Sequence, residues 1–189
     1  VGVAGLQAIA TAKRLGAVVS ATDVRLATKE QVESLGGKFI FVKDELAKLN
    51  ETDGGYAKEM SEDFKRKQAE LISKTIAKQD IVICTALIPG KKAPTLITKE
   101  MIETMAPGSV VIDLAVEAGG NCPLSKFGEI VVHKGVKIIG HANFPGRVAK
   151  DASSLYAKNI FNFLNLLINK DSKKLLFDFE DEIVKAVVL

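Results

Sequence analysis

Apolar positions along the chain switch between two periods. Residues 6–15 are Ala-rich with helical spacing, and 17–22 form a short apolar run of strand type. The alternation then repeats. Residues 28–35 predict a helix, with Thr28 and Gln31 in capping-box spacing. Residues 38–42 alternate like a strand, 64–77 predict a helix, and 80–85 read as a buried strand. A helix over 98–105 stops before Ala106-Pro107-Gly108, and the next strand is 109–113. Two more strands are expected at 129–132 and 137–139. A long amphipathic helix follows over 151–168, capped by Asp151 or Ser153. Residues 50–63 are polar and Gly-containing, without an apolar period.

Strand and helix in near-regular order predict an α/β fold, a doubly wound parallel sheet of Rossmann type. It occupies residues 1–147, and its first strand is missing from the sequence. A boundary is expected near Pro145-Gly146. Residues 148–189 form a C-terminal helical segment of a second domain.

Composition narrows the function classes. The 189 residues are 47% hydrophobic and 26% charged, an ordinary globular balance. A net charge of +3, without a block of like charges, does not describe a nucleic-acid surface. The most apolar stretch, 160–168, is interrupted by Asn162 and Asn165 and is too short to span a bilayer. Neither a C-x-x-C nor a His pair is present, so no metal is expected. Cys84 sits in an apolar run and reads as a buried hydrophobe, and Cys122 sits in a Gly-rich loop and reads as a free thiol. That cysteine usage fits a reducing, cytoplasmic setting.

The chemistry begins at the first residue. Val1-Gly2-Val3-Ala4-Gly5 leads directly into a helix pattern. Read against G-x-G-x-x-G, Gly2 and Gly5 are the second and third glycines, and the first is absent. Gly2 lets backbone approach a pyrophosphate at the helix N-terminus, and Gly5 lets the helix pack close to the sheet. Asp23 ends the second strand about 20 residues on. A carboxylate there accepts both adenosine ribose hydroxyls and repels a 2′-phosphate, so NAD(H) is expected over NADP(H). Arg25 reads equally as an adenine- or phosphate-facing residue and as a solvated surface arginine.

Further candidates lie at strand ends. Leu87 follows strand 80–85, on the edge where doubly wound sheets bind ligands. Asp113 and Glu117, with Gly119 and Gly120, read either as active-site architecture or as a polar turn. His133 reads as a surface residue, and His141 as a crevice or loop residue. In the long polar loop, Gly54-Gly55 is a candidate hinge. Tyr56 and Met60 are spaced to share a helical face. They read either as a lid or as packing on the next helix. Gln68 reads as an exposed helix residue.

Several runs together carry a resemblance. They are 3–19, Ala21-Thr22-Asp23-Val24-Arg25, Gly54-Gly55-Tyr56-Ala57-Lys58-Glu59-Met60, Thr85-Ala86-Leu87-Ile88-Pro89-Gly90 and 113–125. Over essentially its whole length the chain resembles the alpha subunit of proton-translocating NAD(P) transhydrogenases, in the superfamily shared with alanine dehydrogenases. The resemblance implies an NAD(H)-binding component. In the family, NADH passes a hydride to NADP⁺ held on a partner component that binds NADP(H), coupled to proton movement through a membrane component. By motif, Val3, Asp23, Val24, Arg25, Gly55, Gln68 and Leu87 would contact NAD(H), beside Gly2 and Gly5. Tyr56 and Met60 would sit in a mobile loop that closes over the nucleotide.

The resemblance also implies a homodimer, placed on the cytoplasmic side of a bacterial inner membrane through partner components. The family's catalytic-domain segment, which positions the nicotinamide, lies ahead of the fingerprint and is absent from this sequence. Catalytic residues are therefore expected outside it. The 189 residues by themselves are expected to bind NADH weakly and not to transfer hydride. Two alternatives stand beside this reading: an alanine-dehydrogenase-like oxidoreductase, and a non-catalytic nucleotide-binding module.

Overall fold

The computed structural model describes residues 1–42, 62–88 and 90–187, without the side chains of residues 62, 64 and 65. Residues Val1–Ala142 form one compact unit and Asn143–Leu189 another.

The first unit is α/β. Helix α1 (Val3–Arg14) precedes strand β1 (Ser20–Ala21), helix α2 (Thr28–Ser34) and strand β2 (Lys38–Phe39). Helix α3 (Glu62–Ile76), strand β3 (Ile81–Cys84), helix α4 (Lys99–Glu103) and strand β4 (Val110–Asp113) follow. The unit closes with β5 (Glu129–His133) and β6 (Val136–Gly140).

β1 and β2 pair in parallel, with Ser20 opposite Lys38 and Ala21 opposite Phe39. A second sheet runs β3-β4-β6-β5. In it β3, β4 and β6 are parallel, with Cys84 opposite Asp113 and Ile112 opposite Ile139. In the doubly wound order the first strand lies between strands equivalent to β1 and β3. Among the described residues those two have no further ladder neighbour. Ile81 and Ile83 of β3 are exposed.

The sheet is mixed rather than wholly parallel. β5 and β6 form an antiparallel hairpin, Glu129 opposite Gly140 and His133 opposite Val136. Its two-residue turn, Lys134-Gly135, has positive φ at both positions, 48° and 81°. Such a turn matches the twist of paired strands, and it brings the chain straight back instead of through a crossover.

The core covers one side of the four-stranded sheet. Ile102 of α4 is fully buried against Val111, Val136 and Ile138, with Ile76 and Met101 beside them. Thr98 caps α4, its hydroxyl accepting the Met101 N–H at 3.3 Å.

Two expected caps are corrected. Thr28 is the first helical residue of α2, not its cap, and its hydroxyl donates to the Arg25 carbonyl at 2.8 Å. The long helix α5 starts at Ala149, ahead of Asp151 and Ser153 (Ala149–Leu166). It continues from the 3₁₀ turn Phe144–Val148, whose Asn143 side chain accepts the Gly146 N–H at 3.1 Å. The turn supplies the entry, so Asp151 is left in the first helical turn.

In this second unit Leu155 and Leu164 of α5 are exposed, whereas Leu167 is buried. A short helix α6 (Glu182–Val187) buries Val184 completely, and Asp181 accepts the Ile183 and Val184 N–H groups at its start. No helix among the described residues is long and apolar enough to cross a membrane.

Candidate functional site at the carboxyl ends of the strands

α1 begins at Val3, three residues before the periodic run suggested, with extended Gly2 as its N-cap. The Leu6 N–H closes the first turn onto the Gly2 carbonyl at 2.9 Å. The earlier N–H groups of that turn have no partner within the helix, so the turn is a ready anion site by geometry and dipole. A Cβ on Gly2 would meet nothing within 4 Å, so the space ahead of the helix is open. A Cβ on Gly5 would sit 3.2 Å from Thr85 Oγ1. Gly5 is therefore the point where α1 lies against the chain leaving β3. Val3 is 90% exposed.

Asp23 follows β1 and is nearly buried, with 7% of its side chain exposed. It ion-pairs with the Val1 nitrogen. Arg25 surrounds it: its backbone N–H reaches Oδ1 at 2.8 Å, its Nε reaches Oδ1 at 3.0 Å, and its Nη2 reaches Oδ2 at 2.9 Å. The same Nη2 also donates to the Val1 carbonyl at 2.8 Å. Burial by itself would raise the Asp23 pKa. The Arg25 side chain, the Val1 amino group and the Arg25 N–H outweigh it and hold the carboxyl at about 2. Asp23 therefore carries its charge at neutral pH.

Gln68 departs from its sequence reading. It is half-buried, not exposed. Its Nε2 donates to Thr22 Oγ1 at 3.1 Å and to the Ile40 carbonyl at 3.3 Å, and its Oε1 accepts the Val42 N–H at 3.1 Å. One amide from α3 thereby clips together the chain leaving β1 and the chain leaving β2. Thr22 and Thr85, each one residue past a strand, are the positions the sequence reading missed. Their signal was the strand end itself.

Asp113 is corrected from a candidate active-site carboxylate to a structural clamp. It is fully buried. Its Oδ1 accepts the Ala115 N–H at 3.0 Å, and its Oδ2 accepts the Asn121 and Cys122 N–H groups at 2.8 and 3.0 Å. The side chain of Asn121 continues the brace: it exchanges two bonds with Ala86 and donates to the Pro94 carbonyl. Glu117 remains exposed. Cys122 is buried like Cys84, and desolvation pushes both thiols up.

The remaining candidates separate. Leu87 and Val24 are exposed, and no hydrogen bond or ion pair among the described residues ties them or Val3 to the Asp23 cluster. His133 is part-buried and pairs with Glu103 at 2.8 Å. It precedes β6, at the rim opposite the strand ends that carry Asp23 and Thr85. His141 follows β6 at its carboxyl end. Gly55, Tyr56 and Met60 lie outside the described residues.

With this geometry in view, comparison with known proteins is decisive. The family described as "Alanine dehydrogenase/PNT, C-terminal domain" matches residues 1–189. The chain belongs to that family. It is 70% identical over 186 residues to the first portion of NAD(P) transhydrogenase subunit alpha from Rhodospirillum rubrum, covering 98% of this chain and 48% of that protein. It is 50% identical over 189 residues to the same-named protein of Rickettsia prowazekii, covering 100% and 48%. The crystal structure of transhydrogenase from Sinorhizobium meliloti superposes with a TM-score of 0.80 at 54% identity, covering 98% of this chain and 47% of that one. The chain thus spans about half the length of the relatives it matches. The expected α/β fold and the expected alanine dehydrogenase/transhydrogenase kinship are both borne out.

Proposed function

We propose that this chain is the NAD(H)-binding part of a transhydrogenase alpha subunit, and that it holds NADH for hydride transfer to NADP⁺ on a partner component. One observation carries the reading: Arg25 Nη2 bridges the Asp23 carboxylate to the Val1 carbonyl, at the glycine turn that opens α1. The donor set fits a dinucleotide. The open N-terminus of α1 suits a pyrophosphate, and a charged carboxylate beside it suits a ribose diol. When bound, NAD(H) supplies the hydride. The chain's own residues bind and orient: Gly2, Val3 and Gly5 at the phosphates, Asp23, Val24 and Arg25 at the adenosine, and Leu87 as apolar surface after β3. Gln68 holds Thr22, next to Asp23, in place. On family resemblance, Gly55 is assigned to the nucleotide contacts, and Tyr56 and Met60 to a closing loop.

The wider assembly follows from the relatives' names, which are those of transhydrogenase subunits. We place the chain in a homodimer on the cytoplasmic side of the membrane, docked on membrane and NADP(H)-binding components that couple the transfer to proton translocation. Residues 1–147 are the nucleotide domain, and 148–189 return to the catalytic domain. The test uses the full-length polypeptide. Calorimetry should show NADH binding that Asp23→Ala weakens by tenfold or more, since two hydrogen bonds to a charged group are lost. Combined with its partner components, the protein should oxidise NADH with NADP⁺. Unchanged NADH affinity in the variant, or reduction of pyruvate with ammonia instead, would overturn the assignment.

A further inference from the structure

We propose that Gln68 reads the base of the nucleotide: its Oε1 accepts the exocyclic amino group of adenine and rejects a purine carrying an oxygen there. The inference rests on the NAD(H) reading above. In a doubly wound fold each half of the sheet takes one mononucleotide. The adenosine then lies over the half built from β1 and β2, with the base beyond the ribose. The Gln68 amide stands at that end. It bonds Thr22, the residue before Asp23, and the Ile40 and Val42 backbone after β2. It is half-buried rather than sealed.

A free glutamine amide can turn end for end, exchanging donor and acceptor. Here its neighbours forbid that. The Ile40 carbonyl only accepts and the Val42 N–H only donates, so Nε2 faces the first at 3.3 Å and Oε1 the second at 3.1 Å. Both Nε2 hydrogens are spent, the other on Thr22 Oγ1 at 3.1 Å. Among the described residues Oε1 has one partner, which leaves it one acceptor position. That position takes a donor and nothing else. Phosphate oxygens and the ring nitrogens of adenine are acceptors, and the ribose hydroxyls go to Asp23 in the reading above. The exocyclic amino group is the donor that remains. An oxygen in its place meets Oε1 acceptor to acceptor, and the clamped amide cannot turn to relieve the mismatch.

The experiment is calorimetric titration of the full-length polypeptide with NADH and with reduced nicotinamide hypoxanthine dinucleotide, in which an oxygen replaces the amino group. Wild type, Gln68→Ala and Gln68→Met are compared, and melting curves establish that each variant is folded. The wild type should bind NADH roughly tenfold more tightly than the analogue. Both variants lose the clip and should bind NADH more weakly, with the two dissociation constants moving to within about twofold of each other. A purely structural role lowers both affinities and leaves their ratio unchanged. That result overturns the proposal, as does a wild type that does not distinguish the two nucleotides, and either leaves the NAD(H) reading intact. A folded wild type that binds neither overturns the proposal and that reading together.

Discussion

Asp113 and Asn121 are tied across the turn after β4, the Asn121 N–H donating to Asp113 Oδ2 at 2.8 Å. Because the same carboxylate also accepts the Ala115 and Cys122 N–H groups, Asp113→Ala leaves three buried donors without an acceptor. Each unmet buried group costs about 1–3 kcal/mol. Urea denaturation should show a loss of at least about 3 kcal/mol. A loss near zero would mean that the clamp is dispensable.

Gly120 faces that carboxylate. Its φ is +80°, and an added Cβ would lie 2.8 Å from Asp113 Oδ2. Gly108 has φ +95° with nothing within 4 Å. Gly108→Ala should cost only the backbone strain, about 1 kcal/mol. Gly120→Ala should cost clearly more, by strain plus collision. Equal melting temperatures for the two variants would contradict the packing described.

Gln68 joins three segments with one amide. Gln68→Ala removes three hydrogen bonds, and the Val42 N–H loses its acceptor. Amide hydrogen exchange at Val42 should quicken by tenfold or more. Exchange within β4, on the other sheet, should not change. A uniform increase across both sheets would indicate global destabilisation instead.

The pH dependence has a definite sign. The Asp23 pKa lies at about 2 in the folded chain, below its ordinary 3.8. Its contribution is therefore complete above 3.8 and lost as pH falls through 2. The depression corresponds to at most about 2.5 kcal/mol, and to less once solvent screening of Arg25 is counted. The stability difference between wild type and Asp23→Asn should shrink as pH falls from 4 toward 2. A difference that grows over that interval would contradict the ion pairs.

Both cysteines are sealed. Cys84 and Cys122 are 3% and 1% exposed, and burial raises both thiols. A thiol reagent at pH 8 should label neither in the folded protein and both in denaturant. Fast labelling of Cys122 under native conditions would show that the turn after β4 opens.

Much of this was legible in the sequence because long apolar runs are hard to misplace. Residues 80–85 and 109–113 are β3 and β4 nearly to the residue, since Val and Ile runs between turns have few other uses. The pairing of β5 with β6 was not foreseen: alternation reports a strand but not its direction, which Lys134-Gly135 decides. Asp23 was found from its offset to the glycines. Its envelopment by Arg25 was not, because two side chains two positions apart need a turn to meet head-on. Asp113 was misjudged because a carboxylate at a strand end looks the same whether it faces a ligand or three backbone amides. Gln68 could not be found locally: its partners lie 26 to 46 positions away.

The brace through Asn121 bears on how this face meets any small molecule. Asn121 fixes Ala86 and Pro94 while its own backbone hangs from Asp113, so the segments after β3 and β4 move as one piece. That side is preorganised, with its ordering entropy spent during folding. On the β1 side the Asp23 carboxylate is held by an exposed side chain, that of Arg25, rather than by a buried brace.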